Sequence, residues 1–116
     1  KDSCMGDCLV RVFGLPHDQD GEVQKYLEGD GSPDFSWLQR LEDWSAARGY
    51  HFIRISNLSD SRELEQLDKL IAIGESPRRT RHAVLCDASG VMIYDPYDDE
   101  NRPGLSRIDY FIAFER

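Results

Sequence analysis

The stretch RHAVLCDASGVMIYDP, residues 81–96, predicts two short strands joined by a tight turn. Residues 81–86 and 91–94 are rich in apolar side chains, and the segment between them ends in the Ser-Gly pair of a turn. His82 stands near the start of the first strand, and Asp95 follows the second. Such a hairpin lets the carboxylate bind the far nitrogen of the imidazole and hold one tautomer. The hairpin therefore indicates an oriented histidine, which usually serves another reactive group.

A cysteine near the start of the sequence can be that group. Cys4 follows Ser3, which is a suitable N-cap, and apolar residues continue at helical spacing to about Phe13. The unpaired N–H groups and the dipole of a helix N-terminus favour a thiolate. We therefore predict Cys4 as the nucleophile, with His82 as general base and Asp95 as the group that orients the imidazole.

Cys8 is the alternative nucleophile. The sequence Gly6-Asp7-Cys8 could form a sharp nucleophile turn, since glycine permits a close approach of the backbone. In the predicted helix, however, Cys8 lies one turn beyond Cys4, where a thiol is more buried and behaves as a small hydrophobic side chain. The position in the helix favours Cys4, and Cys8 stays open as the second candidate.

The length and the charge limit the classes of protein. A chain of 116 residues predicts a single domain, residues 1–116, and its 40% hydrophobic and 31% charged residues are typical of a soluble globular protein. The 14 basic and 22 acidic side chains give a formal charge of −8, which repels phosphate backbones and argues against a nucleic-acid partner. No apolar run approaches the roughly 20 residues of a membrane span, so we expect no membrane association.

Three cysteines, Cys4, Cys8 and Cys86, are an odd set and argue against a disulfide framework. We therefore expect a reducing compartment and a cytoplasmic location. The spacings Cys4-x3-Cys8 and His82-x3-Cys86 could be written as a zinc site, but in an extended strand the second pair lies about 13 Å apart. Zinc ligands lie within about 2.3 Å of the metal. We expect no metal and no other cofactor.

Periodicity along the chain predicts helices first and then a sheet. Asp34 caps a helix whose apolar stripe includes Trp37 and Trp44, and Gly49 suits its end. The predicted helices are residues 4–13, 22–27 and 35–48, and one after the capping box Asp60-x-x-Glu63 that carries Leu64, Leu67 and Leu70. The predicted strands are residues 50–55, 71–73, 81–86, 91–94 and 109–114, with loops at 28–33, 74–80 and 98–104. N-terminal helices packed on a mostly antiparallel β-sheet make an α+β class.

Short motifs follow one another along the chain in a particular order: Ser3-Cys4, Gly14-Leu15-Pro16-His17-Asp18, Arg48-Gly49-Tyr50, Gly74-Glu75-Ser76-Pro77-Arg78, His82-Ala83-Val84-Leu85, Tyr94-Asp95-Pro96 and Gly104-Leu105. In this order they resemble small papain-like cysteine peptidase domains of phage and bacterial proteins, distant relatives of the peptidases that cut double-glycine bacteriocin leaders. The resemblance spans nearly the whole chain and is most specific in the His-to-Asp-Pro block. It implies a papain-like fold and a Cys–His–Asp hydrolase.

The resemblance also bears on individual positions. Such domains place the nucleophile nearly three helical turns before the glycine that closes the first helix, which fits Cys4 and Gly14. Papain-like enzymes place a Gln or similar donor several residues before the cysteine to bind the developing oxyanion. Only residues 1–3 precede Cys4 here, so we expect this donor to be absent or to lie upstream. Relatives often carry a histidine after the Asp-Pro pair, where this chain has Tyr97, a difference that bears on substrate preference.

These observations predict a thiol hydrolase that cleaves a peptide or isopeptide amide bond in a peptide or protein substrate. Two alternatives stay open. The chain could be a catalytically inactive papain-like module that binds a protein partner through the same cleft. It could also be a Cys-dependent deamidase or acyltransferase, because those reactions use the same three residues.

Overall fold

The computed structural model describes residues 4–28, 36–56, 69–77, 79–96 and 104–115. The helices in these ranges are α1 (Cys4–Phe13), α2 (Asp20–Glu28) and α3 (Ser36–Ala46), and a single 3₁₀ turn (His17–Gln19) precedes α2. The strands are β1 (His51–Ile55), β2 (Lys69–Glu75), β3 (Arg81–Asp87), β4 (Met92–Tyr94) and β5 (Arg107–Glu115). The helices precede the strands in the chain, and the predicted α+β class is confirmed.

The strands described above form one sheet in the order β1-β5-β2-β3-β4, and every neighbouring pair is antiparallel. β2 is central and pairs with β3 over its whole length, from Lys69 opposite Asp87 to Glu75 opposite Arg81. β5 comes last in the chain but lies between β1 and β2. The short β4 lies at the end of this strand order, beside β3, so the predicted hairpin forms one side of the sheet.

Side chains alternate between the two faces of the sheet, and both faces are apolar. The face covered by the helices includes Ile71, Ile73, Ala83, Leu85, Ile112 and Phe114. The helices contribute buried side chains to it, among them Cys8, Leu9, Val10, Val23, Leu27, Leu41 and Trp44. The opposite face includes Ile55, Leu70, Ala72, Val84, Cys86, Phe111 and Ala113. Burial on both faces explains why β2 and β3 read as continuous apolar runs rather than as alternating patterns.

An aromatic cluster fixes the C-terminal end of α1. The Phe13 ring packs edge to face against Trp44, Tyr50 and Phe114, with ring centroids 5.0, 5.2 and 5.0 Å away respectively. Trp44, which belongs to the predicted apolar stripe of α3, is buried in the core with an exposed fraction of 6%. The helix then stops at Gly14, whose φ of 69° lies in the left-handed region that glycine adopts without strain.

The end of α3 differs from its predicted position at Arg48. The α-helix ends at Ala46, and the following turn tightens, because Arg48 and Gly49 donate hydrogen bonds to carbonyls three residues earlier. Gly49 has the left-handed conformation expected of it, with φ at 87°. The prediction therefore located the glycine correctly and placed the last helical turn two residues too far along the chain.

The strands also differ from the predictions. β2 runs from Lys69 to Glu75 and so includes Leu70, which was predicted to be helical, and part of the predicted loop 74–80. Leu70 is fully buried opposite Cys86, so pairing between strands overrides its helical spacing. The preceding part of that predicted helix, residues 60–68, lies outside the described residues, as do most residues of the loops 28–33 and 98–104.

Candidate active site

His82 and Asp95 are joined by a short hydrogen bond. The His82 Nε2 atom lies 2.7 Å from Asp95 Oδ1, and the two side chains are only 1% and 10% exposed. Because an ionised carboxylate can only accept, the bond places the imidazole proton on Nε2 and leaves Nδ1 as the basic nitrogen. The contact that the hairpin predicted between these two residues is present.

Alternation along β3 decides which face carries the imidazole. The register of β3 against β2 is regular, so His82 shares a face with Val84 and Cys86. The residues between them, Ala83 and Leu85, contribute to the face that the helices cover. Alternation therefore assigns His82 to the face of β3 opposite the one on which the middle of α1 packs.

Asp7 in the first turn of α1 and Arg11 in its last turn both contact Tyr94 at the end of β4. Asp7 accepts a hydrogen bond from Arg11 Nε at Oδ1 (3.1 Å) and another from the Tyr94 hydroxyl at Oδ2 (2.9 Å). The guanidinium carbon of Arg11 also lies 3.7 Å from the centroid of the Tyr94 ring. Each of the three contacts the other two, and we call them the α1–β4 clamp. Because Tyr94 immediately precedes Asp95, the clamp connects α1 to the end of β4 that leads into the His82–Asp95 pair.

The two cysteines of α1 have different surroundings. Cys4 is the first residue of the helix, is partly exposed and packs against the helix-side core. Cys8 is fully buried. Burial raises the pKa of the Cys8 thiol well above its ordinary value, and negative charge at Cys4, Asp7, Cys86 and Asp95 raises it further. Cys8 is thus a poor nucleophile.

Cys86 is the third thiol and lies on the face of the sheet opposite the helices. Burial, and then the negative charge of Asp87, raise its pKa to about 11. All three cysteines belong to the described part of the chain, and none of them is in a disulfide. Among them only Cys4 combines partial exposure with a helix N-terminus, which is the setting of a reactive thiolate.

A glutamine that the sequence did not single out caps α1 from the neighbouring helix. The Gly6 N–H belongs to the first turn of α1 and donates to Gln24 Oε1 of α2 (2.8 Å). Gln24 Nε2 in turn donates to Glu28 Oε2 (3.0 Å). The helices approach so closely here that a Cβ atom at Gly6 would overlap the Asp20 carbonyl oxygen. This packing fixes the orientation of the turn that carries Cys4.

Two predicted features of the site fall outside the described residues. These are residues 1–3, which precede the nucleophile, and Tyr97, which follows the Asp-Pro pair. Among the described residues, no group of three or more His, Cys, Asp or Glu side chains is arranged to hold a metal ion. None of the described helices is both long enough and apolar enough to cross a membrane.

Comparison of the chain with protein-family models, with curated proteins and with solved structures gave no match.

Proposed function

We propose that the protein is a thiol hydrolase that cleaves a peptide or isopeptide amide bond with Cys4 as nucleophile, His82 as general base and acid, and Asp95 as the orienting carboxylate. The observation that carries the proposal is the buried 2.7 Å bond between His82 and Asp95 beside the first turns of α1. The small papain-like cysteine peptidase domains that the sequence resembles have the same order of nucleophile, histidine and aspartate.

The proposed reaction has two stages, acylation of Cys4 and hydrolysis of the resulting thioester. His82 Nδ1 takes the proton of Cys4, and the thiolate attacks the amide carbonyl carbon to form a carbon–sulfur bond. The imidazolium then returns a proton to the departing amine as the carbon–nitrogen bond breaks, leaving a thioester. Water, deprotonated by His82, hydrolyses the thioester and restores the thiol. Asp95 holds the ring throughout and stabilises its positive form.

The location of His82 sets a requirement on this mechanism. Its face of β3 is opposite the one on which α1 packs, so the sulfur has to approach Nδ1 around the end of the strand. The clamp supports such an approach, because it joins Asp7 of the first helical turn to Tyr94, the residue before Asp95. The backbone N–H of Cys4, which heads the helix, is one available donor to the oxyanion.

Thiol labelling tests the proposal directly. With iodoacetamide in mild acid, we expect Cys4 to be alkylated at least about tenfold faster than Cys8 or Cys86. At such a pH only an activated thiol is ionised, and the thiolate is the form that reacts. The substitution His82→Ala should reduce the Cys4 rate to that of an ordinary thiol. His51→Ala is the matched control, since His51 is an exposed histidine that pairs with Glu42 (3.3 Å) on α3. Equally slow labelling of all three cysteines would contradict the hydrolase.

Hydrolysis itself is measured as new amino termini released from a mixture of synthetic peptides. We expect release by the unmodified protein and by the Cys8→Ser variant, and none by the Cys4→Ser variant. Loss of activity in Cys8→Ser with full activity in Cys4→Ser would exchange the roles of the two cysteines.

A second candidate function is an inactive papain-like module that binds a protein partner. The observation that favours it is the burial of the imidazole, whose side chain is 1% exposed, because a buried His–Asp pair can also serve structure alone. In that case His82→Ala should lower the midpoint of thermal unfolding without changing the labelling rate of Cys4. The labelling experiment therefore separates the two functions.

A further inference from the structure

We propose that the α1–β4 clamp positions Cys4 against the His82–Asp95 pair and offsets the charge of Asp7, which would otherwise oppose the Cys4 thiolate; this proposal rests on the hydrolase function above. The clamp includes one residue close in sequence to Cys4 and one residue next to Asp95. Asp7 lies between the two thiols on α1, and Tyr94 is bonded in sequence to Asp95. A slide of α1 along β4 would therefore change the distance between the sulfur and the imidazole.

The contacts of the clamp resist such a slide because they fix direction as well as distance. Asp7 uses both carboxylate oxygens, one for each partner, so rotation of its side chain would break both bonds. Its side chain is 14% exposed and that of Arg11 is 29% exposed, so water competes only partly for these groups. Burial, and then the hydrogen bond to Asp7, raise the pKa of Tyr94, so its hydroxyl stays a donor at neutral pH.

The charges around the thiol explain the second part of the proposal. Asp7 stands three residues after Cys4 on the same helix, and Asp95 follows the neighbouring strand, so both carboxylates oppose a thiolate. His82 and the helix N-terminus favour it. Arg11 binds Asp7 (3.1 Å) and supplies a positive charge that offsets the charge of this carboxylate. Without Arg11 the thiol would ionise at a higher pH.

Removal of one hydroxyl group tests the positioning role. Tyr94→Phe keeps the ring under Arg11 but deletes the hydrogen bond to Asp7. We expect the Cys4 alkylation rate and kcat to fall about tenfold with KM unchanged, because a hydrogen bond to a charged group is lost. Cys8 should be alkylated faster than in the unmodified protein, since α1 would separate more often from the sheet. The matched control is Tyr110→Phe, which removes the hydroxyl of a half-buried strand tyrosine whose ring lies under Arg54 (4.9 Å).

Two substitutions of Arg11 test the charge. Arg11→Gln should move the pH midpoint of Cys4 alkylation upward, and Arg11→Lys should restore most of the original midpoint because it keeps the positive charge. A purely structural role would give both variants the same pH profile. Thermal unfolding of each variant shows whether the fold is retained.

The outcomes separate this proposal from the hydrolase function. If Tyr94→Phe and Tyr110→Phe label identically at Cys4 and Cys8, the clamp has no positioning role, whatever the activity of the protein. If Cys4 of the unmodified protein reacts slowly and is insensitive to His82→Ala, the hydrolase function fails. In that event faster labelling of Cys8 in Tyr94→Phe would still support the clamp as the contact that holds α1 in place.

Discussion

The hydrogen bond between His82 and Asp95 offsets the unfavourable loss of water that each polar side chain undergoes on burial. An imidazole or a carboxylate that loses water without gaining a partner is unfavourable by several kcal/mol, and their 2.7 Å bond supplies the partner. The same bond fixes the tautomer that a general base needs. Structure and catalysis therefore depend on one contact, and only a substitution that retains the shape of the side chain can separate the two roles.

Asp95→Asn is such a substitution, because the amide keeps an acceptor oxygen and loses the charge. We expect activity on peptides to fall by about a thousandfold or more, since an orienting carboxylate also stabilises the imidazolium. The free energy of unfolding should fall by only about 1–3 kcal/mol. The control is Asp43→Asn, an exposed carboxylate that accepts a hydrogen bond from Gln39 on α3. Equal activity of the two variants would remove Asp95 from the mechanism.

Contacts between residues close in the sequence could be predicted, whereas contacts between distant residues could not. His82 and Asp95 are thirteen residues apart across one hairpin, so local strand patterns are enough to bring them together. Tyr94 and Asp7 are 87 residues apart, and no local pattern relates them. The i,i+4 spacing of Asp7 and Arg11 was a visible helix pair, but it carried no information about the strand that would cover it.

At the scale of elements, the contact between α1 and α2 depends on the absence of one side chain. A Cβ atom at Gly6 would overlap the Asp20 carbonyl oxygen and lie 2.9 Å from the Gln24 backbone nitrogen. Both neighbours are backbone atoms of a helix and cannot rotate away. The close approach also allows Gln24 to cap the first turn of α1. The glycine that the sequence suggested for a nucleophile turn serves instead as a helix-crossing point.

Gly6→Ala should therefore force α1 and α2 apart. We expect the free energy of unfolding to fall by about 1–3 kcal/mol through overpacking, despite the better helix propensity of alanine. Gly21→Ala in α2 is the matched control, because a Cβ atom there meets no atom within 4 Å, and it should raise stability by about 0.5–1 kcal/mol. Urea unfolding of both variants measures the difference, and equal stability of the two would contradict the crossing argument.

Element types were easier to predict than element limits. Periodic spacing located α1, and Gly14 marked its end, because a glycine with positive φ ends a helix whatever the tertiary contacts. Leu70 shows the opposite case, since its spacing from the preceding leucines suited a helix. It became part of β2 because it pairs with Cys86 of β3, a contact between strands that no local pattern reveals.

At the scale of the whole molecule, a sheet that is buried on both faces places ionisable thiols in the interior. Cys8 lies on the helix side of the sheet and Cys86 on the other, and burial raises the pKa of each. Between pH 9 and about 11, the unfolded chain loses a proton from Cys86 that the folded chain retains. The free energy of unfolding therefore falls as pH rises through this range.

Cys86→Ala should weaken this alkaline loss of stability. The variant will start less stable than the unmodified protein, because a buried side chain is shortened, but its free energy of unfolding should fall less steeply between pH 9 and about 11. Val84→Ala is the matched control, since Val84 lies on the same face of β3 and does not ionise. Urea unfolding across the pH range gives both slopes, and identical slopes would show that Cys86 does not contribute.

The order of the strands could not be derived from the sequence. The patterns predicted five extended segments and a mostly antiparallel arrangement. The pairing of β3 with β4 could also be predicted, because only a short turn separates these two strands. The insertion of β5 between β1 and β2 depends on long-range pairing, for which the apolar strands offer several equivalent partners. The position of α1 relative to His82 depends on that order, which is why the face of the imidazole became known only with the structure.

The aromatic cluster around Phe13 gives the molecule a built-in optical reporter. Its rings come from positions 13, 44, 50 and 114, so the cluster assembles only after the last strand has joined the first helix. In a Trp37→Phe background, Trp44 would be the sole indole of the chain. Its emission in a stopped-flow refolding trace would then time the moment at which the two ends of the polypeptide meet.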